Sequence, residues 1–131
     1  GFADDIEFTR EHIIDFDLGF DHLVVFTASQ CNICTLPDVH SPVIIDLKGP
    51  PSLLVMSETN FALVSAFAGV MVFSYDGRHL SSPCFQGLRP DKLSSDSLST
   101  APDALAIIDN TDHKIIRLFD PMTGRPIVDS M

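Results

Sequence analysis

The stretch DHKIIRLFDPMTGRPI, at positions 112–127, decides the fold. It contains a short β-branched and aromatic run at 115–119, which ends at an aspartate followed by a turn with proline and glycine. The aromatic ring of Phe119 can pack between sheets, and the carboxylate of Asp120 can accept backbone hydrogen bonds inside the turn. Because both roles are structural, the stretch predicts a strand, a turn and a returning strand.

The same pattern occurs at two earlier places in the chain. Each repeat has an apolar run that opens with a polar residue, then a second run that ends at a turn containing aspartate. The turn aspartates Asp38, Asp76 and Asp120 are 38 and 44 residues apart. This spacing is close to the ~40 to 45 residues of one four-stranded WD40 blade. The first runs lie at 22–28, 60–66 and 103–109, and the second runs lie at 31–36, 70–75 and 115–119.

Helical repeats of similar length are the alternative, and the local pattern argues against them. The runs are only about five to seven residues long, rich in β-branched and aromatic residues and punctuated by Gly, Pro and Asp-Gly. Their continuous apolar character is expected where both faces of a sheet are buried between two neighbours. The sequence therefore predicts an all-β fold, a WD40-type β-propeller with about three four-stranded blades of an incomplete ring.

We expect a partial β-propeller over residues 1–131. Its blades are predicted at about 12–48, 52–87 and 96–131, with first strands near 13–18, 53–57 and 98–101. Three blades cannot close a ring, since closed propellers need at least ~4. Unpaired edges and an uncovered apolar face then predict self-association, or dependence on a longer chain.

Composition excludes several classes of partner. The net charge of −10, from 18 acidic and 8 basic residues, repels phosphate backbones and anionic lipids, so we expect no nucleic-acid partner. The longest apolar stretch, 61–73, is too short to cross a bilayer, so we expect no membrane insertion. Three cysteines are consistent with a reducing compartment. The chain starts without methionine or a signal-peptide pattern, which suggests a piece of a longer protein.

Several groups of polar residues fit either a chemical site or a structural role. Cys31 and Cys34 form a C-x-x-C, which is half of a zinc or redox motif, but no second half follows and buried core cysteines are the expectation. The oxygen-rich stretch 109–112 lacks the order of a calcium loop and predicts a hairpin turn. An acidic first blade could bind a basic partner, although a solvated face is favoured. The acids concerned are Asp4, Asp5, Glu7, Glu11, Asp15, Asp17 and Asp21.

The sequence contains no recognised catalytic motif. Nucleophile-elbow, zinc-protease, dinucleotide and P-loop patterns are missing, and the histidines lack ligand spacing. The Ser-rich segment 94–100 is typical of a polar connection between blades. We therefore predict no catalytic, cofactor-binding or metal-binding residues, and a protein that is not an enzyme. The histidines are His12, His22, His40, His79 and His113.

Specific segments go beyond a generic repeat. They are HLVV at 22–25, SPVIIDLK at 41–48, FSYDGRHLSSP at 73–83, FQGLRPD at 85–91, KIIRLF at 114–119 and TGRP at 123–126. In order and spacing these segments resemble the intraflagellar transport protein 80 family, and the resemblance covers nearly the whole chain. Two local departures are the stretch 31–34, which lacks an expected aromatic, and 95–102, which is hard to place in register.

The resemblance implies a place, a role and partners. Members of the family carry two WD propellers followed by helical repeats, and this chain would lie in the opening blades of the second propeller. The family is a subunit of intraflagellar transport complex B, which implies a non-catalytic scaffold needed for cilium assembly, binding other complex B subunits. The implied location is the cytoplasmic side of the cilium or flagellum and its base. A WD40 scaffold of another complex, such as a vesicle coat, and a ligand-binding or enzymatic propeller remain the alternatives.

Overall fold

A computed structural model describes residues 11–127, in which eleven strands form three antiparallel sheets. Strands follow one another across each sheet in chain order. The first sheet contains β1 Asp15–Gly19, β2 His22–Phe26, β3 Gln30–Thr35 and β4 Val43–Asp46; the second contains β5 Leu53–Met56, β6 Asn60–Ser65, β7 Gly69–Ser74 and β8 His79–Ser81; the third contains β9 Leu98–Thr100, β10 Leu105–Ile108 and β11 Ile116–Phe119.

The prediction of an all-β fold is confirmed within residues 11–127. The helical content of this part of the chain is one short 3₁₀ turn at Pro90–Lys92. No helix in the same range has the length and apolar character needed to cross a bilayer. The apolar runs predicted from the sequence become the second and third strands of each sheet.

The third sheet has three full strands and the beginning of a fourth. Phe119 forms an isolated antiparallel bridge with Pro126, and the Ile127 N–H donates to the Leu118 carbonyl at 2.9 Å. The chain therefore turns back beside β11, as expected of the returning strand that the sequence predicts. The predicted third blade extends to residue 131, and positions 128–131 lie outside the described residues, as do positions 1–10.

The turn aspartates hold their turns as predicted. The Oδ1 atom of each accepts the backbone N–H two residues further on: Asp38 from His40 at 2.9 Å, Asp76 from Arg78 at 3.4 Å and Asp120 from Met122 at 2.8 Å. Such bonds stabilise the turn locally and need no partner protein.

Two apolar clusters join the three sheets, and β6 contributes to both. Phe61 and Leu63 belong to the cluster between the first and second sheets, whereas Ala62 and Val64 belong to the cluster between the second and third. All six residues of β6 are buried. Side chains alternate between the faces of a strand, so one strand seals two interfaces. This confirms the expectation that the inner strands are apolar because both faces are covered.

The first strands of the sheets lie next to one another. Residues of β1 contact β5, and residues of β5 contact β9. The sheets therefore stack face to face with their first strands on a common inner side, which is the arrangement of blades in a propeller. Phe119 is 1% exposed within the cluster between the second and third sheets, so its predicted packing role is confirmed.

Polar contacts fix how neighbouring sheets are oriented. The Asn60 Oδ1 atom accepts a hydrogen bond from the Thr100 hydroxyl at 2.9 Å, and the Asn60 Nδ2 atom donates one to the Ala101 carbonyl at 3.3 Å. These two bonds join the second sheet to the third. The His22 ring of the first sheet stacks on the Tyr75 ring, which follows β7, with centroids 3.8 Å apart and planes 5° from parallel. These contacts are directional and hold the sheets in one alignment.

We expect the substitution Phe61→Ala to lower the free energy of unfolding by about 3–5 kcal/mol, because Phe61 is fully buried between two sheets. The matched control is Phe67→Ala, since Phe67 is 74% exposed and its loss should change stability by about 0.5 kcal/mol or less. Urea titration followed by circular dichroism measures both. Equal effects of the two substitutions would contradict the packing described above.

Candidate interaction surface

The antiparallel strands place two kinds of segment at one end of the sheets. This end, called the connection end here, carries the turns between the second and third strands of each sheet, at 27–29, 66–68 and 109–115, and the connections between sheets, at 47–52 and 82–97. The connection at 82–97 is the longer of the two. Loops on a rigid scaffold are the usual carriers of binding function.

The predicted hairpin turn at 109–112 is built around a buried carboxylate. Asp109 is 2% exposed, and its Oδ1 accepts the Thr111 hydroxyl at 2.7 Å and the Thr111 N–H at 2.8 Å. Its Oδ2 accepts the Nε–H of Arg117 at 2.8 Å. The hydrogen bonds from Thr111, and then that from Arg117, hold the pKa of Asp109 at about 2. Both carboxylate oxygens are occupied, so the turn has a structural role.

Aromatic rings connect the ion pair of Asp109 and Arg117 to the core. The Arg117 guanidinium lies 5.1 Å from the centroid of the Phe85 ring, and Phe85 stacks near Phe119 with centroids 6.0 Å apart. A guanidinium over an aromatic face is attracted by the ring quadrupole. The connection at 82–97 is thereby attached to the third sheet through Phe85.

The cysteine pair is placed as core residues, as expected. Cys31 lies in the cluster between the first and second sheets, and Cys34, three residues along the strand, is buried with its Sγ 3.9 Å from the Val39 carbonyl. Burial raises the pKa of Cys31 to about 12, and burial followed by the Asp38 charge raises that of Cys34. Both thiols are held in the protonated form, which disfavours metal binding and redox exchange. Within residues 11–127, no three His, Cys, Asp or Glu residues are grouped to hold a metal ion.

The acidic residues of the first blade lie partly in the described range. Asp15 and Asp17 are exposed on β1, and each accepts the N–H of the following residue. Glu11 accepts hydrogen bonds from the hydroxyls of Ser29 and then Thr27, which lower its pKa. The contacts of Asp15 and Asp17 are local, whereas those of Glu11 attach the start of the described chain to the turn between β2 and β3. Asp4, Asp5, Glu7 and Arg10 lie outside the described residues.

The histidines are not grouped, and two of them have identifiable structural contacts. His22 stacks on Tyr75, and the Nε2 atom of His79 lies 3.0 Å from the Ser81 carbonyl and 2.9 Å from the Ser82 hydroxyl. These positions agree with the expected edge roles.

Apolar side chains remain exposed on the outward faces of the terminal sheets. On the first sheet, the register places Phe16, Leu18 and Ile44 on the face turned away from the second sheet, and they are 52–60% exposed. We call these three residues the first open face. On the third sheet, Ile116 and Leu118 occupy the corresponding outward face. Exposed apolar patches of this kind mark interaction surfaces.

A group of basic side chains at the connection end was not predicted from the sequence. Arg89 and Lys92 of the long connection and His113 of the following turn line one cavity. The three residues lie as far as 24 positions apart and belong to segments without periodicity. The one sequence signal was their position in two consecutive polar segments at the same predicted end of the blade.

Stacked antiparallel sheets with adjacent first strands and interacting turns define a β-propeller protein. A family model described as "IFT80 second beta-propeller" matches residues 1–131. The chain therefore belongs to this family, the second β-propeller of intraflagellar transport protein 80.

Two relatives agree with this assignment, and a solved structure shares the fold. The chain is 42% identical over 128 residues to the "Intraflagellar transport protein 80 homolog" of Rattus norvegicus and to that of Mus musculus. The match covers 97% of this chain and 16% of each relative, so the chain spans about a sixth of their length. The crystal structure of the computationally designed Ika4 protein is similar in fold, with a TM-score of 0.63 and 15% identity over 95% of this chain and 76% of that one.

We expect Asp109→Asn to destabilise the chain at neutral pH but to have little effect near pH 2. The folded-state pKa of Asp109, about 2, lies below its ordinary value of 3.8. Its ionisation therefore contributes full stability above about pH 4, and this contribution is lost as the pH falls through about 2. Urea midpoints at several pH values measure the difference between the variant and the wild type. Asp103→Asn, at an exposed position, is the control, and a pH-independent difference for Asp109→Asn would contradict the expectation.

Proposed function

We propose that this chain is part of a non-catalytic scaffold of the intraflagellar transport machinery. The observation that carries the proposal is the match of the whole chain to the second propeller of an intraflagellar transport protein. A propeller supplies rigid sheets that present turns and faces to partner proteins. Because the relatives are about six times longer, the role of the whole protein extends beyond the residues described here.

We further propose that the three sheets are successive blades at about 12–48, 52–87 and 96–131. Each sheet follows the preceding one through a connection at the same end, and each packs on its neighbour through its buried inner strands. The proposed partners are other subunits of complex B, and the proposed location is the cytoplasmic side of the cilium and its base. The names of the rat and mouse relatives support this setting.

The structural use of the polar side chains supports a binding role without catalysis. Asp109 is occupied by Thr111 and Arg117, the Tyr75 hydroxyl donates to the Ser57 carbonyl at 2.5 Å, and the Ser81 hydroxyl donates to the Pro121 carbonyl at 2.6 Å. Groups held in this way orient the backbone. A catalytic acid or base would instead have to reach a substrate.

Affinity capture from ciliated cells tests the scaffold role, with the full-length protein that carries this chain as bait and mass spectrometry as the readout. We expect other intraflagellar transport subunits to be recovered. Leu63→Asp, which introduces a charge into the fully buried β6, should remove the partners that depend on this propeller. The control Arg78→Asp, at an exposed position on the opposite end of the sheets from the connection end, should retain them. Recovery of vesicle-coat subunits in place of transport subunits would contradict the assignment.

We also propose that the chain self-associates through its first open face. Phe16 and Leu18 on the edge strand β1 and Ile44 on the edge strand β4 present exposed apolar side chains on one face of the first sheet, and two copies can bury these side chains against each other. Sedimentation velocity of the 131-residue chain should show concentration-dependent association. Leu18→Lys should abolish it, and Phe67→Lys, at an exposed position outside this face, should not. A wild-type chain that remains monomeric at its highest soluble concentration would contradict the proposal.

A further inference from the structure

The cavity that the basic residues line at the connection end has the size of a ligand site. It lies between the connection at 82–97 and the turn at 109–115 and has a volume of about 580 Å³. Ligand pockets usually fall within ~300 to 1,000 Å³. We call this cavity the basic pocket. It is lined by Arg89, Lys92, His113, Ser97, Asn110 and Ile108, among others.

Hydrogen bonds fix the two walls of the basic pocket relative to each other. The Arg89 N–H donates to the Asn110 Oδ1 at 2.7 Å, and this bond ties the connection to the turn. The turn itself is held by the buried Asp109. Gly87 lies on the connection wall at φ +92, and a Cβ there would approach the Thr111 methyl group to 3.3 Å. The close approach and the left-handed backbone both favour glycine at this position.

The cations of the pocket differ in how they are held. The Arg89 guanidinium is paired with Asp91 through Nε–Oδ1 and Nη2–Oδ2 distances of 3.3 and 3.1 Å, which restricts its position. Lys92 makes no salt bridge with any residue in the range 11–127, and its charge is one of the causes that lower the pKa of the neighbouring Asp91. No acidic side chain from that range lines the pocket. In a chain of net charge −10, the pocket is therefore a place where an anionic group meets basic side chains, with the charge of Arg89 offset by Asp91.

A groove with apolar and polar walls adjoins the basic pocket. Ile108 and Ser97 line both the pocket and a second cavity of about 270 Å³, whose wall continues with Ala106 on the outward face of the third sheet. Ser95, Asp96 and Ser99 also line this groove. Because the Asp96 carboxylate repels an anion, a ligand that fills both spaces places its anionic group in the basic pocket and an uncharged aliphatic group in the groove. The combined volume is far larger than a single phosphate or chloride ion requires.

We propose that the basic pocket binds an acidic peptide segment of a partner protein. A carboxylate of the peptide contacts Lys92 and His113, and a neighbouring aliphatic side chain lies against Ile108 and Ala106. The proposal rests on the scaffold function, since it names the chemistry of one partner of that scaffold. Charge-assisted hydrogen bonds to lysine supply the specificity for carboxylate, and the groove supplies the specificity for an apolar neighbour.

Fluorescence anisotropy with the purified full-length protein that carries this chain tests the proposal. The probe is a labelled octapeptide of alternating aspartate and leucine, and the matched probe replaces every aspartate with asparagine. We expect the acidic probe to bind at least about tenfold more tightly than the asparagine probe. We also expect its affinity to fall as salt is raised from low to physiological concentration, because exposed charges are screened.

Variants locate the site. Lys92→Glu should weaken binding of the acidic probe at least about tenfold, and His113→Ala should weaken it by a smaller factor. The control Arg78→Glu makes the same kind of charge change at the opposite end of the sheets, on the exposed β7–β8 turn. Once the effect of the changed net charge is subtracted, its affinity for the acidic probe should stay within about twofold of wild type. Circular dichroism of each variant verifies that the fold is retained.

Three outcomes would overturn the proposal. They are the absence of binding by the wild-type chain, equal weakening by Lys92→Glu and Arg78→Glu, and displacement of the probe by inorganic phosphate as effectively as by the unlabelled acidic peptide. None of them affects the capture of transport subunits by the full-length protein. Failure of the peptide site is therefore distinguishable from failure of the scaffold function.

Discussion

Burial of β6 on both faces is the interaction on which the rest of the structure depends. A hairpin or a single small sheet is marginal in water, because it leaves one apolar face exposed. Strand alternation allows β6 to send Phe61 and Leu63 toward the first sheet and Ala62 and Val64 toward the third. The two interfaces thus share one strand. Damage to β6 weakens both, and the terminal sheets depend on each other through the middle one.

Apolar burial is non-directional, so a second set of interactions must determine the angle between sheets. Asn60 does this at the start of β6, where one side chain bonds both Thr100 and Ala101 of the third sheet. The Tyr75 ring does it on the other side by stacking on His22 of the first sheet, and its hydroxyl donates to the Ser57 carbonyl of its own sheet, which holds the ring in place. Directional contacts inside the stack leave the turns at the connection end free to differ in length and charge. This separation allows a propeller to keep one fold while its turns acquire binding functions.

The inner strands and the turn aspartates could be predicted from the sequence because both depend on local chemistry. Continuous apolar runs, β-branching and the Asx turn at Asp120 act over a few residues, so a repeat search detects them. The contact between Arg89 and Asn110 could not be predicted, since it joins two irregular segments whose meeting depends on sheet packing. Another feature that the sequence did not predict lies at residues 31–34, where the expected aromatic is absent. Asn32 is fully buried, and its side-chain amide makes no hydrogen bond with any residue from 11 to 127, at a typical cost of about 1–3 kcal/mol.

Charge is distributed unevenly along the stack, and this affects which surfaces can meet. Asp15, Asp17 and Asp21 lie on or beside β1, whereas the connection before the third sheet balances Arg89 and Lys92 with Asp91 and Asp96. An acidic partner segment therefore meets stronger repulsion at the first sheet than at this connection, and this difference favours its approach to the basic pocket. Two first open faces that approach each other bring like charges together, and this opposes their apolar attraction beyond short range. Ions at 0.1 M limit such repulsion to about 10 Å. The same screening that permits self-association therefore weakens recognition of an acidic segment, and ionic strength shifts the chain between the two kinds of contact.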